Sequence, residues 1–275
     1  MPGWVWIAVV LGVLLLWARG RIKAWRRELR SDLRAYLAAH RPELKVGAES
    51  EDSLILTRAA SEQITINLQN MYDRVASLRP NTPEARHEVY RQSLEAIEEG
   101  LALQRPTLEA HGARLLPRLL PTSALAEPNM QGLVQQSLGE TGLSIVYVID
   151  GTYSVAYVSR EHLQDLGLDP STLHARALDN LKAKFDPAQL DEVRRGGMAQ
   201  WMSVDTFDAA RVLLLPQHLG PDEAMLAVVP NRDTLVLLAA TQESAARQLA
   251  AASNSGAFQL LPAPLKVTAA GFERL

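Results

Sequence analysis

Apolar residues run without a break from Trp4 to Ala18, and the run meets Arg19, Arg21, Lys23, Arg26, Arg27 and Arg30 at its far end. As a helix, fifteen residues at about 1.5 Å each reach roughly 22 Å, short of the roughly 30 Å hydrocarbon core. Met1 to Gly3 are uncharged and extend the run, and Trp4, Trp6 and Trp17 stand where indole rings favour the headgroup boundary. The pattern predicts a transmembrane anchor over residues 1–19. Positive charge after the run, rather than before it, is retained on the cytoplasmic side and predicts a single pass with the body inside. An export signal, cleaved or not, is the competing reading, although only the amino terminus supplies charge ahead of the run.

Beyond the junction, Ile22, Trp25, Leu29, Leu33, Tyr36 and Leu37 recur at spacings of three and four, with Arg26, Arg30 and Arg34 largely off that stripe. A basic amphipathic juxtamembrane helix is therefore predicted over 20–38, with Leu33 to Leu37 facing a core. In a first lobe, 39–112, Ser53 to Arg58 and Gln63 to Leu68 read as a hairpin. Thr82, Pro83 and Glu84 open a helix over 83–104. The stretch LLPRLLPTSALAEPN carries three prolines and predicts an extended connection over 113–142.

A second lobe, 143–275, opens with Leu143 to Ile149, Asp150-Gly151 and Thr152 to Ser159, a hairpin with a tight positive-φ turn. A short helix stopping at Gly167 follows, then a helix capped by Asp169 carrying Leu173, Ala177, Leu181 and Phe185. Asp186-Pro187 opens another helix, which ends at Gly196-Gly197. Met198 to Val204 predicts a strand, and Asp208 caps a short helix that Pro216 terminates. Met225 to Val229 and Thr234 to Ala240 flank a turn at Pro230 to Asp233, forming a second hairpin. An alanine-rich helix runs from Thr241 to about Ser253, and Phe258 to Val267 offers an edge strand interrupted by Pro262 and Pro264. Hairpins separated by helices define an α+β fold with antiparallel sheets and disfavour a Rossmann-type domain. Each half has a hairpin followed by helices, so two lobes are an expected arrangement, without a residue-level repeat.

Charge separates the ends of the chain. Six basic residues against one acidic one between 19 and 30 give about +5, so a formal net charge of −3 leaves the remainder near −8. The basic cluster suits anionic lipid, and no aromatic platform or recognition motif accompanies it that would indicate nucleic acid. Cysteine is absent, which excludes disulfides, thiolate metal sites and a cysteine nucleophile.

The segment IVYVIDGTYSVAYVSREHLQDLGLDPSTLHARALDNL, Ile145 to Leu181, resembles the corresponding region of the bacterial YtpQ-like proteins, a family defined as a domain of unknown function. DTFDAARVLLL (Asp205 to Leu215) and LAVVPNRDTLVLLA (Leu226 to Ala239) resemble its other two signature stretches, and Leu261-Pro262 falls where its members carry a similar turn. The resemblance covers most of residues 30 to 270 and is concentrated after Gly142. It implies a bacterial α+β protein with no established activity and no catalytic residues to carry over. The anchor departs from the family's shorter, soluble members.

The chemistry is therefore weighed from the residues. Asp150, Asp205, Asp208 and Asp233 fall at strand ends or turns, where clustered carboxylates hold Mg²⁺ or Ca²⁺. Each also has a local explanation: Asp150 as a hairpin-turn residue, Asp208 as a helix cap, Asp233 as a turn former. Arg211 and Arg232 are expected to form structural ion pairs with these carboxylates. None of the six histidines has zinc-ligand spacing; His218 lies between two family-like segments and completes the candidate set. Phosphate-loop, dinucleotide and GxSxG motifs are absent. The sequence thus predicts a protein of the bacterial inner membrane whose acidic cytoplasmic domain binds membrane lipids and a protein partner, with neither cofactor nor metal and no nucleic acid. The alternatives are a metal-assisted hydrolase or ligand-binding domain built on Asp150, Asp205 and Asp233, and an exported tethered domain. The membrane contacts would be Trp4, Trp6, Trp17, Arg19, Arg21, Lys23, Arg26 and Arg27.

Overall fold

The computed structural model describes residues 3–50, 52–57, 63–203, 205–253 and 258–275, with their side chains from residue 19 onward except those of residues 63, 65 and 129. It divides into two compact units, residues 1–98 and 99–275. Among the described residues all strand pairing is antiparallel, in keeping with the alternation of hairpins and helices.

In the first unit one helix, α1 (Gly3–His40), spans both the apolar run and the amphipathic stretch. Leu29, Leu33, Tyr36 and Leu37 are buried, as their spacing predicts, whereas Ile22 is exposed. Among the described side chains no helix is long and apolar enough to cross a membrane; the side chains of residues 4–18 lie outside them. Strands β1 (Lys45–Glu49), β2 (Ser53–Thr57) and β3 (Gln63–Asn67) form a meander, with α2 (Gln69–Ser77) and α3 (Pro83–Ala102) following. The expected β2–β3 hairpin is present; its connection, residues 58–62, lies outside the described residues. Leu54, Leu56, Ile64 and Ile66 alternate inward, while Tyr90 of α3 stacks edge-on to Tyr36 of α1, 5.8 Å between centroids. Strand β1 escapes sequence detection because it is nearly all exposed and carries no apolar alternation; it is held by its ladder with β2 and by ion pairs from Glu49 to Arg30 and Arg34 of α1.

The second unit corrects the domain boundaries. The stretch expected to connect two lobes contains, after a short helix α4 (Leu108–His111), strand β4 (Leu115–Pro121), most of it buried. It pairs along its whole length with β6 (Leu143–Asp150). Its prolines are tolerated because β4 is an edge strand and Pro117 and Pro121, four residues apart, have the same orientation, one that need not donate to the ladder. β5 (Gln135–Ser137) and β7 (Val155–Tyr157) share the other edge of β6.

After α5 (Arg160–Asp165), α6 (Pro170–Lys182) and α7 (Leu190–Arg194), a five-stranded sheet is built from β8 (Met198–Trp201), β9 (Ala224–Val228), β10 (Leu235–Ala239), β11 (Leu265–Thr268) and β12 (Gly271–Arg274), ordered β12-β11-β9-β10-β8. Here β11 is interior, not the expected edge, because the last four-residue strand, β12, folds back beside it. Met225 and Ala227 of β9 enter the main core with Leu237 of β10. Leu226 and Val228 face the other side, where Ala246 and Ala250 of α8 (Glu243–Ser253) cover them. Burial on both faces explains why these strands read as continuous apolar runs.

Two predicted turns differ. Asp150-Gly151 is not a two-residue turn: the connection is Gly151 to Ser154, and Gly151 lacks a positive φ. The segment Ala209–His218 is a 3₁₀ helix that continues through Pro216 to His218, so the proline expected to stop it costs one ladder hydrogen bond without ending it.

Candidate functional site

The carboxylates after β8 converge on one guanidinium. Arg211 donates from Nη1 to Asp208 Oδ1 at 2.6 Å, from Nη2 to Asp205 Oδ2 at 2.7 Å, and from Nε to the Lys184 carbonyl at 2.9 Å. Ser203 adds its N–H to Asp208 Oδ2 at 2.8 Å and its hydroxyl to Asp208 Oδ1 at 2.6 Å. Asp205 Oδ1 also accepts from Ser203 Oγ at 3.0 Å and the Phe207 N–H at 3.1 Å. Asp208 therefore makes no cap hydrogen bond, contrary to expectation, because its side chain turns inward to Arg211 instead of back to the helix start. Burial pushes the Asp208 carboxyl up, against the Ser203 hydrogen bonds and the Arg211 charge. For Asp205 burial acts the same way, but Arg211 and the Phe207 N–H outweigh it and hold the group below the usual range.

Asp150 lies across an open recess of about 380 Å³ from this cluster, shared with Asp205, Thr206 and the Gly151 to Val155 stretch. Burial raises its carboxyl despite the positive charges of Lys184 and Arg118. Asp233 lines neither this recess nor the cluster; its N–H bonds Asn231 Oδ1 at 2.9 Å, the turn role read from sequence, and its carboxylate pairs with Arg232 at 3.2 Å. His218 stands at a separate recess with Lys182 and Pro187, its ring 5.4 Å from Phe185. Of the candidate set, then, Asp150, Asp205 and Asp208 are gathered, and Asp233 and His218 are not. Among the described residues no three acidic or imidazole groups stand where they could hold a metal ion. The lone pairs of Asp205 and Asp208 already accept from Arg211, Ser203 and Phe207, so the cluster acts as an internal ion-pair network tying the β8 exit to the 3₁₀ helix.

Of the residues expected at the membrane, Arg19, Arg21, Lys23 and Arg27 are exposed, while the side chains of Trp4, Trp6 and Trp17 lie outside the described residues. Arg26 is a correction. It bonds Asp52 at 2.8 Å and Gln69 at 2.9 Å and lies 5.0 Å from the Tyr72 ring centroid, because the helix stripe rotates it onto its own unit.

Two organising residues escaped the sequence reading. Glu99 accepts from the N–H groups of Thr152, Tyr153 and Ser154 at 2.6, 2.7 and 3.1 Å and thereby shapes the β6–β7 connection. No local signal marks it, since its partners are more than fifty positions away. Arg118 is a buried charge in β4, signalled by being the lone charge in LLPRLLP. No protein-family model, curated protein or solved structure matches this chain.

Proposed function

We propose that the chain is a membrane-anchored interaction domain of the YtpQ-like kind, single-pass, with its acidic body at the cytoplasmic face of a bacterial inner membrane and without catalysis of its own. The observation that carries this reading is the continuity of α1, in which the apolar run, the exposed Arg19 and Arg27 and the buried Leu29 to Leu37 turns are one helix. A tether of that kind holds the body at the bilayer surface instead of on a loose linker. The YtpQ-like assignment rests on the three segments quoted above.

The partner contact is assigned to the outer edge of β8. Among the described residues β8 makes no backbone hydrogen bonds beyond its ladder with β10, and Met198 and Met202 are 52% and 68% exposed beside it. An open edge with flanking apolar side chains suits an extended partner segment adding as a further strand.

Two measurements test this. A cytoplasm-dependent fluorescent reporter after Leu275 is expected to fluoresce in a carbonate-resistant membrane fraction, and periplasmic alkaline-phosphatase activity from the same fusion point would overturn the orientation. A photo-crosslinking residue at position 198 or 202 is expected to yield one protein adduct of defined mass in cells. An equal yield from Glu161, on the exposed face of α5, would sink the β8 assignment.

A further inference from the structure

Arg118 is 5% exposed, and among the described residues it has no ion-pair partner. Its Nη2 donates to Thr206 Oγ1 at 3.2 Å, its guanidinium lies 5.1 Å from the Phe207 ring centroid, and its Nε has no hydrogen-bond partner. Asp150 feels its charge at longer range without bonding it. The contrast is with Arg211 in the same unit, which is equally buried and holds two carboxylates. Buried charges are ordinarily paired, and a guanidinium left without an anion retains donors for one.

Arg118 borders a cavity of about 200 Å³ whose walls include Leu120, Tyr157 and Leu260, with Arg232 and Phe258 completing it. The Arg232 guanidinium stacks 3.5 Å from the Phe258 ring centroid. Thr206 and Phe258 are the non-glycine residues with positive φ among the described residues, at 63° and 58°. Each holds one of the two guanidinium groups that line this cavity: Phe258, itself in the lining, holds Arg232, and Thr206, from the Asp150 recess, holds Arg118. Left-handed backbone at a β-branched or aromatic residue is unfavourable and recurs where a ligand clamp is kept in place.

We propose that this cavity is a binding site for a carboxylate attached to a small apolar group, the carboxylate on Arg118 and the apolar group between Tyr157, Leu260 and Phe258. Arg232 is already joined to Asp233 at 3.2 Å, so the site offers one unmatched positive charge, which suits a monoanion better than a phosphate dianion. The planar fork of a guanidinium matches a carboxylate, and the apolar walls select against small hydrophilic acids. The same chemistry is presented by a free acid, such as a short fatty or aryl acid, and by the carboxyl terminus of a polypeptide ending in an apolar residue. This site is independent of β8 and of the tether.

The test is calorimetric titration of the full chain in detergent with octanoate and 3-phenylpropionate, their neutral amides, and short peptides ending in leucine with a free or amidated terminus. At least one carboxylate is expected to bind, with its amide at least about 30-fold weaker. Binding by the free acids or by the free-terminus peptide identifies which source fits. Arg118→Met is expected to abolish binding and Phe258→Ala, an exposed position, to weaken it several-fold. Because Arg118→Met removes a buried group, its folding is checked by circular dichroism; if it fails to fold, the amide comparison and Phe258→Ala decide. Equal affinity for acid and amide, unchanged binding in a folded Arg118→Met variant or in Phe258→Ala, or no binding by any carboxylate up to about 10 mM would overturn the proposal.

Discussion

Asp208 and Arg211 form an ion pair almost sealed from solvent, Nη1 to Oδ1 at 2.6 Å, with side-chain exposures of 0% and 4%. Removing one member leaves the other charged, buried and short of a partner, whereas replacing both with apolar residues removes the desolvation cost as well. Arg211→Met is expected to destabilise the fold by about 3–5 kcal/mol, and Asp208→Leu combined with it to recover most of that loss. Urea unfolding of the single and double variants checks this; additive losses would show that the pair is not a unit.

Glu99 governs the β6–β7 connection through three backbone N–H groups, and its side chain is 14% exposed. Glu99→Gln weakens charge-assisted hydrogen bonds and is expected to cost about 2 kcal/mol, with faster hydrogen exchange at the Thr152 and Tyr153 amides. Burial pushes the Glu99 carboxyl up, but the Tyr153, Thr152 and Ser154 donors outweigh it and hold the group below its ordinary value of 4.5. Its contribution is therefore complete above that value and is lost as pH falls through the depressed folded one. Exchange at these amides measured from pH 6 down to about pH 3 is expected to accelerate in wild type more than in Glu99→Gln.

Position 151 makes the same contact from the other side. A Cβ there would fall 2.5 Å from the Glu99 carboxyl carbon and 2.5 Å from the Ser154 carbonyl oxygen. The glycine is required by close approach, not by backbone sign, since its φ is not positive. Gly151→Ala is expected to lower stability by about 1–3 kcal/mol and to release Glu99 from the loop, seen as loss of amide protection at Thr152. Retained protection at Thr152 would refute the steric account.

The elements that sequence reveals are those whose cause is local. Asp169 and Pro170 begin α6 as read, because the cap hydrogen bonds to Ser171 and Thr172 lie within three residues. The β9–β10 hairpin is equally legible, since its turn and both strands are contiguous. The misreadings come from distant partners. Pro117 and Pro121 are breakers in isolation, and only the place of β4 beside β6 makes them harmless. Asp-Gly at 150–151 favours a tight turn until Glu99 supplies three acceptor contacts to the chain beyond it. Asp208 has a cap's position, and Arg211, one turn on, draws it inward. Of the candidate site, the ion pairing of Arg211 and Arg232 with neighbouring carboxylates is legible in the sequence, whereas Asp233 does not join Asp150 and Asp205, because its own turn holds it. The lone charge in LLPRLLP marks Arg118, but what surrounds its guanidinium, Thr206 Oγ1 and the Phe207 ring, comes from another segment and is not legible there.

Tyr147 and His174 supply a second pH dependence. Tyr147 Oη lies 2.9 Å from His174 Nδ1, with the rings edge to face at 6.0 Å. Burial holds the imidazole below its ordinary 6.5 and pushes the Tyr147 phenol up to about 12. A depressed folded value means that neutral His174 belongs to the native state, so its contribution is present above 6.5 and is lost as pH falls through the lower folded value. Titrating the His174 ring protons by NMR is expected to give a midpoint below 6.5; a midpoint at or above that value would contradict the neutral, phenol-bonded imidazole. His174→Phe is expected to flatten the fall in stability on acidification through this range.

Helix α1 joins the proposed tether to the folding of the first unit, and one substitution separates the two roles. Leu33 is 2% exposed between Leu29 and Leu37, so Leu33→Ala opens a cavity and is expected to cost about 3 kcal/mol. Arg27 is exposed, and Arg27→Ala is expected to change stability by less than about 0.5 kcal/mol. Neither change touches the apolar residues 4–18. If those residues hold the protein in the bilayer, Leu33→Ala leaves carbonate-resistant membrane retention unchanged while making the first unit sensitive to limited proteolysis. Loss of retention in parallel with proteolytic sensitivity would mean that the folded body, not the apolar run, makes the membrane association.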